Sequence, residues 1–168
     1  MLPVCSRQEA CDMEKEEKYR LLTEQVKALI EGESDRIAVM SNVVAAIHEA
    51  MAFFWTGFYR VMPKADSVEK ELVLGPFQGP VACMHIPYGR GVCGTAWERR
   101  ETIVVPDVEQ FPGHIACSSL SRSEIVVPVF SQGGEVKAVL DIDSKELGTF
   151  DDIDRKYLEA ICQMIWEN

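Results

Sequence analysis

The sequence predicts an α+β fold in which one antiparallel sheet has helices packed on it. The predicted elements follow the order helix, helix, strands, short helix, strands, helix, and neighbouring strands are joined by polar, hairpin-like connections. A chain of 168 residues that is 47% hydrophobic can bury one sizeable core, so we expect a single domain.

The first half of the chain predicts a tail and two helices. Residues 1–13 show no hydrophobic periodicity and are expected to be a mobile tail, whose two cysteines receive no function. From Glu14 to about Gly32 apolar residues recur at helical spacing. Ser34 is then expected to be the N-cap of a second helix. The folded domain would therefore span residues 14–168.

The second half predicts strands, a short helix, a long loop and a terminal helix. Polar connections separate strands expected at residues 53–62, 71–80, 102–106, 123–130 and 135–143, and a short helix is expected at residues 91–99. Residues 107–121 form an irregular loop, and loops of that length in a compact domain usually serve a function. Asp151 should be the N-cap of the last helix, with Asp154 at its third position and Cys162 in the core.

The charge of the chain restricts its partners. Seventeen basic and 27 acidic residues give a net charge of −10, which repels phosphate backbones and anionic membrane surfaces, so neither nucleic acid nor a membrane is expected as a partner. The N-terminus has no apolar signal segment and no window is long enough to span a membrane. We therefore expect a cytoplasmic protein with reduced thiols. The oligomeric state stays open, with a homodimer as one alternative.

Three of the six cysteines fall in one stretch, at positions 83, 93 and 117. Cys93 lies between glycines in GRGVCG, and Cys117 ends the Pro-Gly segment FPGHIAC, so neither position is typical of a packed core. Thiols in such places are more often kept for reactivity than for bulk, and three of them indicate disulfide exchange. Their spacing alone does not say whether Cys83 or Cys93 would pair with Cys117.

Four segments, GVCGTAW, DVEQFPGHIAC, SEIVVPV and VLDIDS, together resemble the free methionine-(R)-sulfoxide reductases, which are small enzymes with a GAF fold. The match runs from about Trp55 to the C-terminus. The resemblance implies that residues 14–168 are a GAF-like catalytic domain that reduces free L-methionine (R)-sulfoxide without a metal or organic cofactor.

The resemblance also implies roles for the cysteines. Cys117 would attack the sulfoxide sulfur, release methionine and become a sulfenic acid. Cys83 would then close a disulfide, with Cys93 as a second resolving thiol. Thioredoxin or a similar dithiol protein would restore the thiols by exchange.

Three carboxylates and two aromatic residues complete the expected site. Alternation along VLDIDS sends Asp141 and Asp143 to one face of a strand. Glu124 and Asp143 are the expected proton-bearing pair, because buried acids raise each other's pKa, and Asp141 would support them or bind the substrate ammonium. Trp55 and Tyr59 share a strand face and could form an apolar wall for the S-methyl group.

The sequence also suggests three other interpretations, namely a dinucleotide site, a structural metal and a sensor without turnover. Gly89, Gly91 and Gly94 satisfy a dinucleotide-binding pattern, but that pattern requires a βαβ unit, which the predicted sheet lacks. A structural metal would need a set such as Cys83, His85, Cys93, His114 and Cys117, whose spacings do not fit zinc sites. His114 and Arg122 are instead candidates for favouring ionisation of Cys117. The opposing functional hypothesis is a GAF sensor that binds a small molecule or responds to oxidants without turnover.

Overall fold

The computed structural model describes the backbone of residues 7–115 and 117–167, with the side chains of residues 11–115 and 117–166. The fold is α+β, as predicted, and is built on a six-stranded antiparallel sheet of order β3-β2-β1-β6-β5-β4. The strands are β1 (Trp55–Pro63), β2 (Lys70–Gln78), β3 (His85–Pro87), β4 (Ile103–Val105), β5 (Ser123–Phe130) and β6 (Val136–Ser144). The helices are α1 (Arg7–Ile30), α2 (Arg36–Met51), α3 (Gly91–Arg99) and α4 (Asp152–Glu167), and a 3-10 turn covers Val108–Gln110.

The sheet separates two hydrophobic clusters. One contains the apolar sides of α1, α2 and α4 together with sheet residues such as Ile125 and Leu140. The other contains residues of the opposite alternation, such as Val126 and Val139, together with residues of α3. Three long helices thus cover the first face of the sheet, whereas one short helix and loops cover the second. The second face therefore has room for a pocket.

Helix α1 begins at Arg7 rather than at the predicted Glu14. Its first turns consist mostly of helix-favouring charged and polar residues, so the search for hydrophobic periodicity missed them. Lys15 ties these turns to the start of α4 through an ion pair with the buried carboxylate of Asp154. Residues 7–13 are helical, contrary to the expectation of an irregular tail. The rest of the predicted tail, residues 1–6 with Cys5, lies outside the described residues.

The structure differs from the prediction in two further, smaller features. The N-cap of α2 is Asp35 rather than Ser34, because its carboxylate accepts hydrogen bonds from the backbone N–H groups of Ile37 and Ala38 at 2.8 and 3.0 Å. Strand β3 was not predicted, since three residues are too few to show a period. It forms because its backbone pairs with β2, with Ile86 opposite Leu72.

Other elements match the prediction closely. Helix α3 and strand β5 have the predicted bounds. The capping box of α4 is also confirmed, since Asp151 accepts from the N–H of Ile153 and donates its own N–H to Asp154, both at 2.8 Å. Cys162 is fully buried in the core, as expected. Within the described ranges, none of the helices combines the length and apolar character of a membrane span.

Candidate active site

A pocket opens on the second face of the sheet, between the strands, α3 and two loops. The loops are residues 79–84, between β2 and β3, and residues 106–122, between β4 and β5. Seven of the eight predicted site residues line the pocket: Trp55, Tyr59, Cys93, Cys117, Glu124, Asp141 and Asp143. The eighth, Cys83, is joined to the pocket through its sulfur.

A disulfide links the two loops, between Cys83 and Cys117, whose Cα atoms lie 5.5 Å apart. The bridge spans 34 residues of sequence, so the loops can meet only because the sheet brings them together. This pairing agrees with the one that the family resemblance implied and that spacing alone left open. Cys117 is exposed and Cys83 is half-buried.

The third cysteine, Cys93, is a buried free thiol in the first turn of α3. Burial, followed by the negative charge of Asp141, raises the pKa of the Cys93 thiol well above its usual range. The Cys93 sulfur and a carboxylate oxygen of Asp141 lie within 4.8 Å of each other. In this arrangement Cys93 stays protonated at neutral pH and is a weak nucleophile, since the thiolate is the reactive form.

The glycines around Cys93 shape the backbone and do not form a phosphate-binding loop. Gly91 has a φ of +62°, which favours glycine, and a Cβ at Gly94 would lie only 2.6 Å from the carbonyl oxygen of Pro87. These glycines let α3 start close against the end of β3, which positions Cys93 at the pocket. The surrounding sheet is antiparallel, so the context of a dinucleotide site is missing.

The three carboxylates converge on the pocket from two neighbouring strands. Glu124 of β5 lies opposite Asp143 of β6, and Asp141 lies two residues away on the same face. Glu124 and Asp141 are hydrogen-bonded to each other, and only 6% and 7% of their surfaces are exposed. The Oδ1 atom of Asp141 is buried and has no hydrogen-bond partner within the described residues. Such an atom is an acceptor ready for a ligand.

Burial raises the pKa of two of these acids. Desolvation, followed by repulsion from Asp143, raises the pKa of Glu124 well above its usual value. Desolvation and then repulsion from Asp143 and Glu124 do the same for Asp141. At neutral pH the hydrogen-bonded pair therefore retains a proton.

Asp143 is the most readily ionised of the three acids. Burial raises its pKa to about 6, while a hydrogen bond with Ser121 and the charge of His114 act in the lowering direction. It is thus mostly ionised at neutral pH. The expected proton-bearing pair of Glu124 and Asp143 stays a prediction, and the hydrogen bond between Glu124 and Asp141 makes these two a second candidate pair.

The predicted aromatic wall is present, and it also anchors the loop of Cys83. The rings of Trp55 and Tyr59 lie 6.0 Å apart between centroids, and both line the pocket. The Tyr59 hydroxyl donates to the carbonyl oxygen of Cys83 at 2.9 Å, and the Trp55 indole donates to that of Pro80 at 3.0 Å. The two side chains therefore hold one half of the disulfide in place.

His114 and Arg122, the residues expected to favour ionisation of Cys117, lie on the loop that carries Cys117. The Nε2 atom of His114 lies 3.6 Å from Glu124 Oε2, so His114 faces the acids, and the expected role at Cys117 stays untested. Arg122 is exposed and does not line the pocket. The sequence analysis missed Ser121, which bonds to Asp143, because a serine just before a strand gives no signal of its own.

The residues weighed as ligands of a structural metal are not brought together. Cys83 and Cys117 are bonded to each other, and His85 pairs with Glu71 at 3.0 Å on the β2–β3 hairpin. Within the part of the chain that the structure describes, one group could hold an ion, with ligand atoms within 4.8 Å of one another: Cys93, Glu124 and Asp141.

Comparisons with known proteins agree with the predicted fold and family. A protein-family model described as a GAF domain matches residues 33–168, which confirms the predicted fold family. The chain is 55% identical to the GAF domain-containing protein A of Dictyostelium discoideum, over 90% of the chain and 92% of that protein. It is 40% identical to the free methionine-R-sulfoxide reductase of Saccharomyces cerevisiae, over 92% of the chain and 87% of that protein.

A solved structure gives the same similarity. The free methionine-R-sulfoxide reductase from Neisseria meningitidis, in complex with its substrate, superposes with a TM-score of 0.83. The two sequences are 49% identical, and the superposition covers 89% of this chain and 86% of that one. The similarity thus extends over the whole pocket-bearing domain.

Proposed function

Because the chain belongs to the GAF-domain family of the free methionine-R-sulfoxide reductases, we propose that it reduces free L-methionine (R)-sulfoxide to L-methionine. The observation that carries this proposal is the disulfide between Cys83 and Cys117 beside a pocket that holds a proton-bearing carboxyl pair. Sulfoxide reduction requires both parts, since a thiolate must attack sulfur while the oxygen takes up a proton.

Cys117 is the proposed nucleophile. It lines the pocket on an exposed loop, whereas Cys93 is buried and held protonated by its surroundings. The Cys117 thiolate attacks the sulfoxide sulfur, and the oxygen passes to Cys117 as a sulfenic acid while methionine leaves. The pair of Glu124 and Asp141 supplies the proton to the sulfoxide oxygen, because a general acid must lie close to the atom that it protonates.

Cys83 then resolves the sulfenic acid. Its thiol attacks Cys117, the hydroxyl leaves as water, and the bridge seen in the structure is formed. A dithiol protein of the thioredoxin type would return both cysteines to thiols by exchange. A reducing compartment, for which the cytoplasm is our expectation, would provide such a reductant.

The remaining pocket residues suit a free amino acid. Ionised Asp143 can pair with the substrate ammonium, and the unpartnered Oδ1 atom of Asp141 can accept a hydrogen bond from the substrate. Trp55 and Tyr59 offer an apolar surface for the S-methyl group. A carboxylate that pairs with an ammonium favours the free amino acid over a residue within a peptide.

The test is to incubate the reduced protein with dithiothreitol and racemic free methionine sulfoxide and to follow both sulfur epimers by chiral chromatography. We expect the R epimer to disappear and methionine to appear in equal amount, with the S epimer unchanged. Consumption of neither epimer, together with saturable binding of the sulfoxide, would instead identify a GAF sensor without turnover.

A further inference from the structure

Three exposed apolar residues lie close in sequence to the two cysteines of the bridge between Cys83 and Cys117. Val81 and Met84 flank Cys83 along the chain and are 87% and 69% exposed. Leu120, which is 54% exposed, follows Cys117 by three residues, so its Cα lies within roughly 11 Å of that of Cys117 at 3.8 Å per residue. We call Val81, Met84 and Leu120 the bridge patch.

We propose that the bridge patch is the docking surface for the dithiol protein that reduces the bridge between Cys83 and Cys117. This inference rests on the proposed reductase function, in which every turnover leaves the bridge oxidised. Single exposed apolar residues are common on proteins, but a group of them beside a reactive centre marks an interaction site. The chain has a net charge of −10, whereas the side chains of the bridge patch are uncharged, so they offer a partner an apolar contact area.

The backbone on both sides of the bridge is held in place, so the patch is a preformed surface. The carbonyl oxygen of Met84 accepts from the N–H of Leu74 on β2 at 2.9 Å. The N–H of Leu120 donates to the hydroxyl of Ser118 at 3.2 Å, which closes a local turn. A preformed surface loses little conformational entropy when a partner binds.

The exposure of the two sulfur-bearing residues indicates where exchange begins. Cys117 is the more exposed of the two residues, so we expect the incoming thiolate to attack the sulfur of Cys117. A new S–S bond forms between the partner and Cys117, the Cys83–Cys117 bond breaks, and Cys83 leaves as a thiolate that takes up a proton. The partner's second thiolate then attacks its own mixed disulfide. Cys117 is released as a thiolate, and the partner's two thiols have become a disulfide.

The experiment compares a protein reductant with a small one. Met84→Glu and Leu120→Glu, made together, place charges on the bridge patch at residues that do not line the pocket. With thioredoxin as the probe, we expect kcat/KM for thioredoxin to fall roughly tenfold or more, since a charge in a docking contact removes apolar burial. With dithiothreitol, which needs no docking surface, the rate should match that of the wild type.

Val68→Glu and Leu21→Glu, made together, are the matched control, because Val68 is fully exposed on the β1–β2 turn, Leu21 is 58% exposed on α1, and both lie outside the bridge patch. This control adds the same two charges, so it corrects for general repulsion of an acidic partner. Equal thioredoxin-driven rates in the double variant and the control would overturn the proposal, as would an equal fall with both reductants. A wild type that releases no methionine even with dithiothreitol would instead refute the reductase function itself.

The site of exchange is checked with a thioredoxin whose second cysteine is replaced by serine. Such a partner cannot release itself, so the mixed disulfide accumulates and can be mapped by mass spectrometry after digestion. We expect the crosslink at Cys117, and less of it in the double variant. A crosslink confined to Cys83, or one formed equally by the double variant, would contradict the proposed approach.

Discussion

Glu124 and Asp141 are hydrogen-bonded to each other inside the pocket, with more than nine-tenths of each residue buried. Asp143 approaches the same pocket but has a pKa of only about 6. Three acids on one sheet face therefore divide into a pair that keeps a proton and a single group that is mostly ionised at neutral pH. This division allows one pocket to donate a proton and to bind an ammonium.

The acid pair should control the first chemical step. Glu124→Gln and Asp141→Asn are each expected to slow sulfenic acid formation by roughly 10²–10⁴-fold, the usual cost of losing a general acid. Single-turnover quench measurements of methionine release would give this rate. Asp143→Asn, on the same face, is the control and should mainly raise KM. Wild-type first-turnover rates in both pair variants across the pH range would place the acid elsewhere.

The affinity for substrate should depend on the charge of Asp143. Burial raises the pKa of Asp143 to about 6, so the group gains its charge as pH rises through that value. KM for the sulfoxide should therefore fall between about pH 5 and pH 7, and this step should vanish in Asp143→Asn. Ser121→Ala removes a hydrogen bond that lowers the pKa of Asp143, so the step should move to higher pH. A step unchanged in both variants would remove Asp143 from ammonium binding.

The free amino group should decide between substrates. N-acetylation, or a peptide bond at that position, removes the ammonium and leaves the Asp143 carboxylate buried without its partner. An unpaired buried polar group costs on the order of 1–3 kcal/mol, and more when it is charged, so kcat/KM should fall at least about tenfold. Steady-state rates on the free and N-acetylated sulfoxides would show this. Comparable values would argue against a site built for the free amino acid.

The cysteines should separate into an attacking and a resolving thiol. Cys117→Ser is expected to abolish methionine release, because a hydroxyl is a far weaker nucleophile than a thiolate at neutral pH. Cys83→Ser should release about one methionine per chain and then stall with thioredoxin, since resolution follows the first chemical step. Burst measurements distinguish the two variants. Full steady-state activity of Cys83→Ser would make Cys93 the resolving thiol.

Local patterns were enough to predict much of the fold. Helix α3 could be bounded because glycines precede it and a charged run ends it, and β5 because its apolar residues are continuous. Alternation correctly sent Asp141 and Asp143 to one face. The start of α1 could not be predicted in this way, because it depends on the contact of Lys15 with Asp154, which is remote in sequence.

The chemistry of the site depended on contacts that spacing does not encode. The register of β5 against β6, which sets Glu124 opposite Asp143, and the position of Ser121 at the pocket do not follow from spacing. The same holds for the hydrogen bond from the Tyr59 hydroxyl to the carbonyl oxygen of Cys83, which helps to hold the Cys83 loop. The residue types were therefore enough to identify candidate site residues, whereas the neighbours of each candidate depend on how the strands of the sheet pair.

The most direct test of thiol-based turnover is a single-turnover experiment without external reductant. Fully reduced protein is mixed with excess free L-methionine (R)-sulfoxide, and methionine, free thiols and linked peptides are quantified together. We predict about one methionine per chain, the loss of about two thiols, and a crosslinked peptide pair that joins Cys83 to Cys117, since one sulfenic acid is resolved by one thiol. Methionine release without thiol loss, or a disulfide formed without methionine, would contradict the account.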